Sequence, residues 1–282
     1  MKQERHPDMC TTTRTLIAAV LLSLVAHLAI AQENQNPAGV EQAVVDRYEA
    51  KAITVSSPDG AHTLQYRILP PANVEPGKKY PLVIFLHGSG ERGEDNIAQL
   101  KYFPSWISEP EMRQQYPAYI IAPQLPSGRR WATYNWREDN PAYGENLTPE
   151  LSAVLAVLNY ESAANPIDTD RVYLTGLSMG GYGSWELAAT HPEHFAAVAP
   201  VCGAADNNQV QGLLDLPIWT WHGDADRSVP VERSREIVAA IKEAGGTNIR
   251  YTELPGVGHD SWTPAYSRTD GLVPWLFQQQ RN

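Results

Sequence analysis

In "RVYLTGLSMGGYGSW" (residues 171–185), Ser178 stands between Gly176 and Gly180, directly behind an apolar run. Glycines permit a turn tighter than bulky side chains allow, and a strand-to-helix turn of this kind would hold one hydroxyl in the open. A serine hydroxyl alone is a weak nucleophile. It needs a base to take its proton and an acid to orient that base. Residues of those kinds follow in the order acid, then base: "HGDADRSVP" (222–230) holds Asp224 and Asp226, and "GVGHDSW" (256–262) holds His259. The loop "LHGSGERG" (86–93) follows "YPLVIF" at the place where such a site needs a second donor to an oxyanion. A helix starting behind Ser178 would offer its first N–H groups to the same anion. Together these residues could perform acyl transfer through a covalent serine intermediate.

Such loops must be brought to one edge by strands that end together. "YPLVIFLHG" (80–88), "AYIIAP" (118–123), "RVYLTGL" (171–177) and "PIWTWHG" (217–223) are continuous apolar runs, as expected of strands covered on both faces. "IRYTELP" (249–255) alternates more and belongs nearer an edge. "YEAKAITV" and "HTLQYRIL" flank Pro58-Asp59-Gly60 and read as an antiparallel pair joined by a turn. Helices are predicted within 96–115, from Thr148 to about Tyr160, behind Ser178 as far as His191-Pro192, over "VERSREIVAAIKEAGG", and around 272–279. Thr148 is the predicted N-cap of the second, with Pro149 in its first turn, and Gly245 the stop of the fourth. Strands alternating with helices imply an α/β domain with a mostly parallel central sheet and helices on both faces. In such sheets, sites gather at the C-terminal ends of the strands. The long aromatic stretch 123–147 reads as a wall of the site.

The chain has 282 residues, 43% hydrophobic and 19% charged, with a net charge of -10. The composition fits a globular protein with a real core, and the acidity excludes nucleic acid as a natural partner. Lys2, Arg5 and Arg14 precede or flank the start of an apolar run, Leu16 to Ala31, that ends in Ala29-Ile30-Ala31. That layout predicts a cleavable signal peptide over 1–31. A bilayer span needs about 20 apolar residues, whereas this run is shorter and contains His27. The expectation is therefore a secreted or periplasmic protein with no stable membrane insertion after cleavage. Residues 32–47 are expected to be a flexible lead-in, and 48–282 a single domain. Cys202 is the one thiol beyond the leader. It reads as a small core residue, with no neighbours at zinc-ligand spacing.

"LHGSGERG", "GLSMGG", "HGDADRSVP" and "GHDSW", in this order, resemble the serine-dependent α/β-hydrolases. Within them the chain is similar to the small phospholipase/carboxylesterase and dienelactone-hydrolase-like group, including secreted "predicted peptidase" esterases, over about residues 48–280. The resemblance implies the α/β-hydrolase fold, with Ser178 as nucleophile, Asp226 as acid and His259 as base. It implies an oxyanion hole formed by the amides of Met179 and Ser89, and no metal or organic cofactor. Asp226 holds the family's acid position just before "RSVP", which leaves Asp224 as a turn residue. Dienelactone hydrolases proper use a cysteine nucleophile, so Ser178 at the elbow departs from that activity. Trp131 and Trp262 are expected to wall the substrate pocket, Trp136 less so. His87 is expected to be structural, and His222 to satisfy a backbone group at a strand end. Glu91 and Arg92 form either a local ion pair under the oxyanion loop or a solvated pair.

The expected function is that of a secreted serine carboxylic-ester hydrolase acting on short-chain or aryl esters, polysaccharide-linked ones included. Two other readings stand beside it. A peptidase of prolyl-oligopeptidase type shares these motifs, but usually bears a large gating domain for which this chain has no room. A binding protein on a disabled hydrolase fold is the other, and an intact triad argues against it.

Overall fold

The computed structural model describes residues 36–57, 60–134, 142–267 and 269–281. The leader and Trp136 lie outside these residues. The apolar runs become strands β1 (Glu49–Ser57), β2 (Gly60–Leu69), β3 (Tyr80–Leu86), β4 (Tyr119–Gln124), β5 (Ile167–Leu177), β6 (Ala197–Val201), β7 (Ile218–Gly223) and β8 (Ile249–Leu254). They form one sheet in the order β1-β2-β4-β3-β5-β6-β7-β8. β1 and β2 pair antiparallel, as does β2 with β4, and the remaining neighbours run parallel. The predicted α/β architecture with a mostly parallel sheet is thus observed.

Burial explains the sheet's two faces. Every residue of β3 is buried, because helices cover both sides. Leu82, Ile84 and Leu86 join one apolar cluster and Val83 and Phe85 the other, as the two-residue period of a strand requires. The first cluster is closed by α4 (Pro149–Ala164), α5 (Met179–Thr190) and α6 (Glu232–Glu243) through Leu151, Trp185 and Ile237. The second is closed by α1 (Gln42–Arg47), α2 (Phe103–Ile107), α7 (Trp262–Ser267) and α8 (Leu272–Leu276) through Val44, Phe103, Tyr266 and Leu272. A further short helix, α3 (Pro110–Gln115), follows α2. Thr148 caps α4 as predicted, its hydroxyl accepting the Leu151 amide at 3.1 Å. Gly245, with φ of 97°, ends α6 in the left-handed conformation that glycine favours.

The structure corrects several expectations. β6, "AVAPV", is a strand that its own residues do not predict, because alanine and proline are weak strand formers. Its place is set by its neighbours, with Tyr173 beside Ala197 on one side and Trp221 beside Val201 on the other. The lead-in is not featureless, since α1 lies inside it and buries Val44 and Val45 against the second face. The predicted helix within 96–115 breaks into a 3-10 turn, Ala98–Leu100, followed by α2 and α3. Pro104 and Pro110 stand in the first turns of those two, where the ring is tolerated but a continuing helix is not. α7, unforeseen, begins just after His259.

Candidate active site

β5 runs straight into α5 through Ser178, whose backbone has φ 52° and ψ -119°. A non-glycine residue held there costs about 1–3 kcal/mol. The surroundings enforce it. The Ser178 amide donates to Val201 O of β6 at 3.0 Å. A side chain at Gly176 would come within 2.5 Å of the Gly180 carbonyl oxygen, and one at Gly180 would run into that of Leu86. The two glycines therefore let α5 start against the ends of β3 and β5, leaving the hydroxyl at the top.

Ser178 Oγ lies 2.9 Å from His259 Nε2, and His259 Nδ1 lies 2.7 Å from Asp226 Oδ2. The carboxylate accepts at Nδ1, which leaves Nε2 able to accept the serine proton. Asp226 Oδ1 takes the amides of Ser228 at 2.7 Å and Val229 at 3.0 Å. Its side chain is wholly buried. Burial alone would raise the carboxyl pKa. Hydrogen bonds from His222, His259 and the two amides outweigh that effect and hold it well below the usual carboxylate range. Asp224 instead accepts the Gly256 amide at 2.6 Å, tying the acid loop to the turn before His259.

His222, expected to serve a backbone group, does so: its Nε2 lies 3.0 Å from Val229 O. The same Nε2 lies 3.1 Å from Asp226 Oδ2, and Nδ1 lies 2.7 Å from Ser234 Oγ of α6. Two acceptors at Nε2 place the proton there. Sequence reasoning missed this contact with Asp226. The i to i+4 spacing of His222 and Asp226 across a tight turn was its only signal.

On the other side, His87 is fully buried. Its Nδ1 donates to Gly88 O at 2.6 Å, and its Nε2 accepts the Leu125 amide at 3.0 Å. Burial lowers its pKa to about 4. The ring is a neutral brace for the loop that ends in Ser89. Met179 N is the first amide of α5 and Ser89 N opens a 3-10 turn, so neither has an acceptor one turn earlier in its own helix. Both residues line one cavity of about 210 Å³ with Ser178, His259, Tyr182 and Val229.

The tryptophans divide. Trp131 is completely buried, so it is no pocket wall. Its indole N–H donates to His87 O at 3.0 Å, and its ring packs edge-on to the His87 imidazole at 5.3 Å. It supports the loop that runs from His87 to Ser89. Trp262 stands edge-on to the His259 ring at 5.3 Å. Arg92 does not pair with Glu91, because its guanidinium donates to Ser89 O and Arg129 O. Glu91 is buried instead, which raises its carboxyl pKa against the pull of Lys101 and the Gly88 amide. Cys202 is buried as expected, and burial lifts its thiol to about 12.

The strand order, the strained serine turn and the line from serine through histidine to a buried aspartate define an α/β-hydrolase fold. A solved thermostable esterase is 38% identical and aligns with a TM-score of 0.76 over 85% of this chain and 64% of that one. The chain belongs to the phospholipase/carboxylesterase family, whose model matches residues 72–267. Poly(3-hydroxyalkanoate) depolymerase C of Paucimonas lemoignei is 31% identical over 44% of this chain and 28% of its own length. Feruloyl esterase B of Neurospora crassa is 31% identical over 45% of this chain and 40% of its own. The chain thus spans less than half the length of the first curated relatives it matches.

Proposed function

We propose that this protein is an exported serine carboxylic-ester hydrolase for esters with short acyl groups. One observation carries the reading: Ser178 Oγ, His259 and Asp226 form a continuous hydrogen-bonded line, at 2.9 and 2.7 Å, ending on a buried carboxylate. Ser178 attacks the ester carbonyl as its proton passes to His259 Nε2. The amides of Met179 and Ser89 stabilise the resulting oxyanion, each such donor contributing about 3–4 kcal/mol. The C–O bond to the alcohol then breaks, and the alcohol oxygen takes the proton from Nε2. Water, deprotonated by the same nitrogen, attacks the acyl-serine; the acyl–Oγ bond breaks, Ser178 Oγ takes that proton back from Nε2, and the acid is freed. Asp226 stays ionised throughout and holds the imidazole in the required tautomer.

The 210 Å³ cavity supports a short acyl group. Relatives named as esterases support an ester substrate. The basic, apolar, small-x-small leader supports export. A fluorophosphonate probe tests the mechanism. It should label the wild type stoichiometrically and Ser178→Ala not at all, and that variant should lose hydrolysis of p-nitrophenyl acetate. Labelling at another residue, or hydrolysis that survives in Ser178→Ala, would sink the proposal.

A further inference from the structure

A second cavity, about 130 Å³, lies beyond the Trp262 ring and is lined by Tyr102, Phe103, Trp106, Trp262 and Tyr266, almost wholly through apolar atoms. Its size is close to that of an engineered apolar cavity of ~150 Å³ in another protein that takes up benzene. Tyr102, 40% exposed, stands at its rim on a backbone at φ 62° and ψ -119°. That conformation is sparsely populated and costs about 1–3 kcal/mol for a residue with a side chain. In this conformation the Tyr102 ring lies 5.4 Å from the Trp262 ring, which in turn stands 5.3 Å from that of His259. A line of edge-on ring contacts therefore links the imidazole to the cavity wall.

The two cavities share no lining residue. The first takes Ser89 from the loop after β3 and Ser228 and Val229 from the loop after β7. The second takes Tyr102, Phe103 and Trp106 from the connection after β3 and Trp262 and Tyr266 from α7, after β8. The first adjoins Ser178 itself, and the second adjoins His259 through Trp262. An ester centred on Ser178 can thus place one limb toward Val229 and the other toward Tyr102. The leaving oxygen must sit within hydrogen-bond reach of His259 Nε2 to take its proton, and the line of ring contacts begins at that imidazole.

We propose that the pocket of Tyr102, Trp106 and Trp262 is the alcohol subsite and receives one aromatic ring of the leaving group. The acyl group lies on the Val229 side. This assignment rests on the serine-esterase reading above and adds which half of the ester is aromatic. Trp262 and Tyr102 are specificity-determining residues. They bury the ring before the C–O bond breaks and release it with the protonated alcohol, so the acyl-serine that remains is the same for every alcohol.

Steady-state kinetics on ethyl acetate, benzyl acetate and ethyl phenylacetate test it, since all three have unactivated alkyl leaving groups. In the wild type, kcat/KM should favour benzyl over ethyl acetate by roughly ten-fold or more, an apolar burial effect of the size one partly enclosed ring provides. Tyr102→Ala and Trp106→Ala should each collapse that ratio toward one, while thermal melting verifies the fold. They should leave the ratio of ethyl phenylacetate to ethyl acetate unmoved. A wild type with no benzyl preference overturns the proposal, as does a preference that survives both substitutions. A loss falling on ethyl phenylacetate would assign the pocket to the acyl half and equally overturn it. Failure of the underlying serine mechanism shows separately, as hydrolysis of ethyl acetate by Ser178→Ala.

Discussion

His222 and His259 donate to the same oxygen of Asp226, at 3.1 and 2.7 Å. One imidazole is fully buried and the other stands at the mouth of the site with 27% of its side chain exposed. The buried ring is anchored on Ser234 of α6, so the carboxylate is held between a fixed donor and a working one. Under the proposed mechanism, His222 is a positioning residue that acts through Asp226. His222→Phe keeps a ring in the space and removes the donor. A hydrogen bond to a charged group contributes about 1.5–3 kcal/mol, so kcat should fall roughly ten- to a hundred-fold, with KM little changed. Because a donor that favours the ionised carboxylate is lost, the acid limb of the kcat profile should move to higher pH. An unchanged profile with a raised KM would speak against this role.

The two aspartates of "HGDADRSVP" should separate in activity. Asp226→Asn should keep the fold and lose about 10³–10⁴ in turnover, as other triads do when the imidazole is held in the wrong tautomer. Asp224→Asn, at the carboxylate that accepts the Gly256 amide, should lose far less. Kinetics of the two purified variants decide it, and reversed losses would place the acid at Asp224.

His87 should make stability depend on pH. Its folded pKa, about 4, lies below the ordinary imidazole value of 6.5. Between those values the unfolded chain binds the extra proton and the folded chain does not, so stability is lost as pH falls through the window. The shift corresponds to roughly 3 kcal/mol. Protonating Nε2 would also set two donors face to face, at His87 and the Leu125 amide. Urea unfolding of wild type and His87→Gln at pH 7 and pH 4 measures this. The wild type's advantage should shrink by most of that amount at pH 4. A constant gap would mean that the ring is not held neutral by burial.

Acyl length should be limited by the cavity over Ser178. p-Nitrophenyl acetate and butyrate should be turned over readily, with rates dropping for chains of about ten carbons or more. Peptide substrates should be cleaved slowly or not at all. Faster turnover of long-chain emulsions, or of a peptide, than of any short ester would defeat the expectation.

Export should remove residues 1–31. The intact mass of protein recovered from the periplasm or medium should correspond to a chain starting at Gln32. Recovery of the full chain in membranes would favour the anchor reading.

Much of the chemistry was legible in the chain because it is written in short-range patterns. The glycines around Ser178 report a turn that only small residues permit. The unbroken apolar runs of β3, β4 and β7 report strands covered on both faces, and the order of the motifs places each loop at a strand end. Such signals survive without tertiary context because they depend on backbone sterics and local hydrophobic periodicity. β6 left no such trace. "AVAPV" has weak strand propensity and is a strand only because β5 and β7 offer it hydrogen bonds on both edges. The two tryptophans and the full role of His222 escaped the sequence for a different reason. Trp131 and Trp262 are both aromatic residues flanking polar loops, and nothing local tells a brace from a pocket wall. Packing sent Trp131 beneath the His87 carbonyl and Trp262 beside the His259 ring. His222 likewise reads as a strand-end residue until the turn folds Asp226 back onto it. These side chains combine an apolar body with a polar tip, so either a core or a cleft can satisfy them. Which one does is set by partners tens of residues away that only the folded sheet brings together.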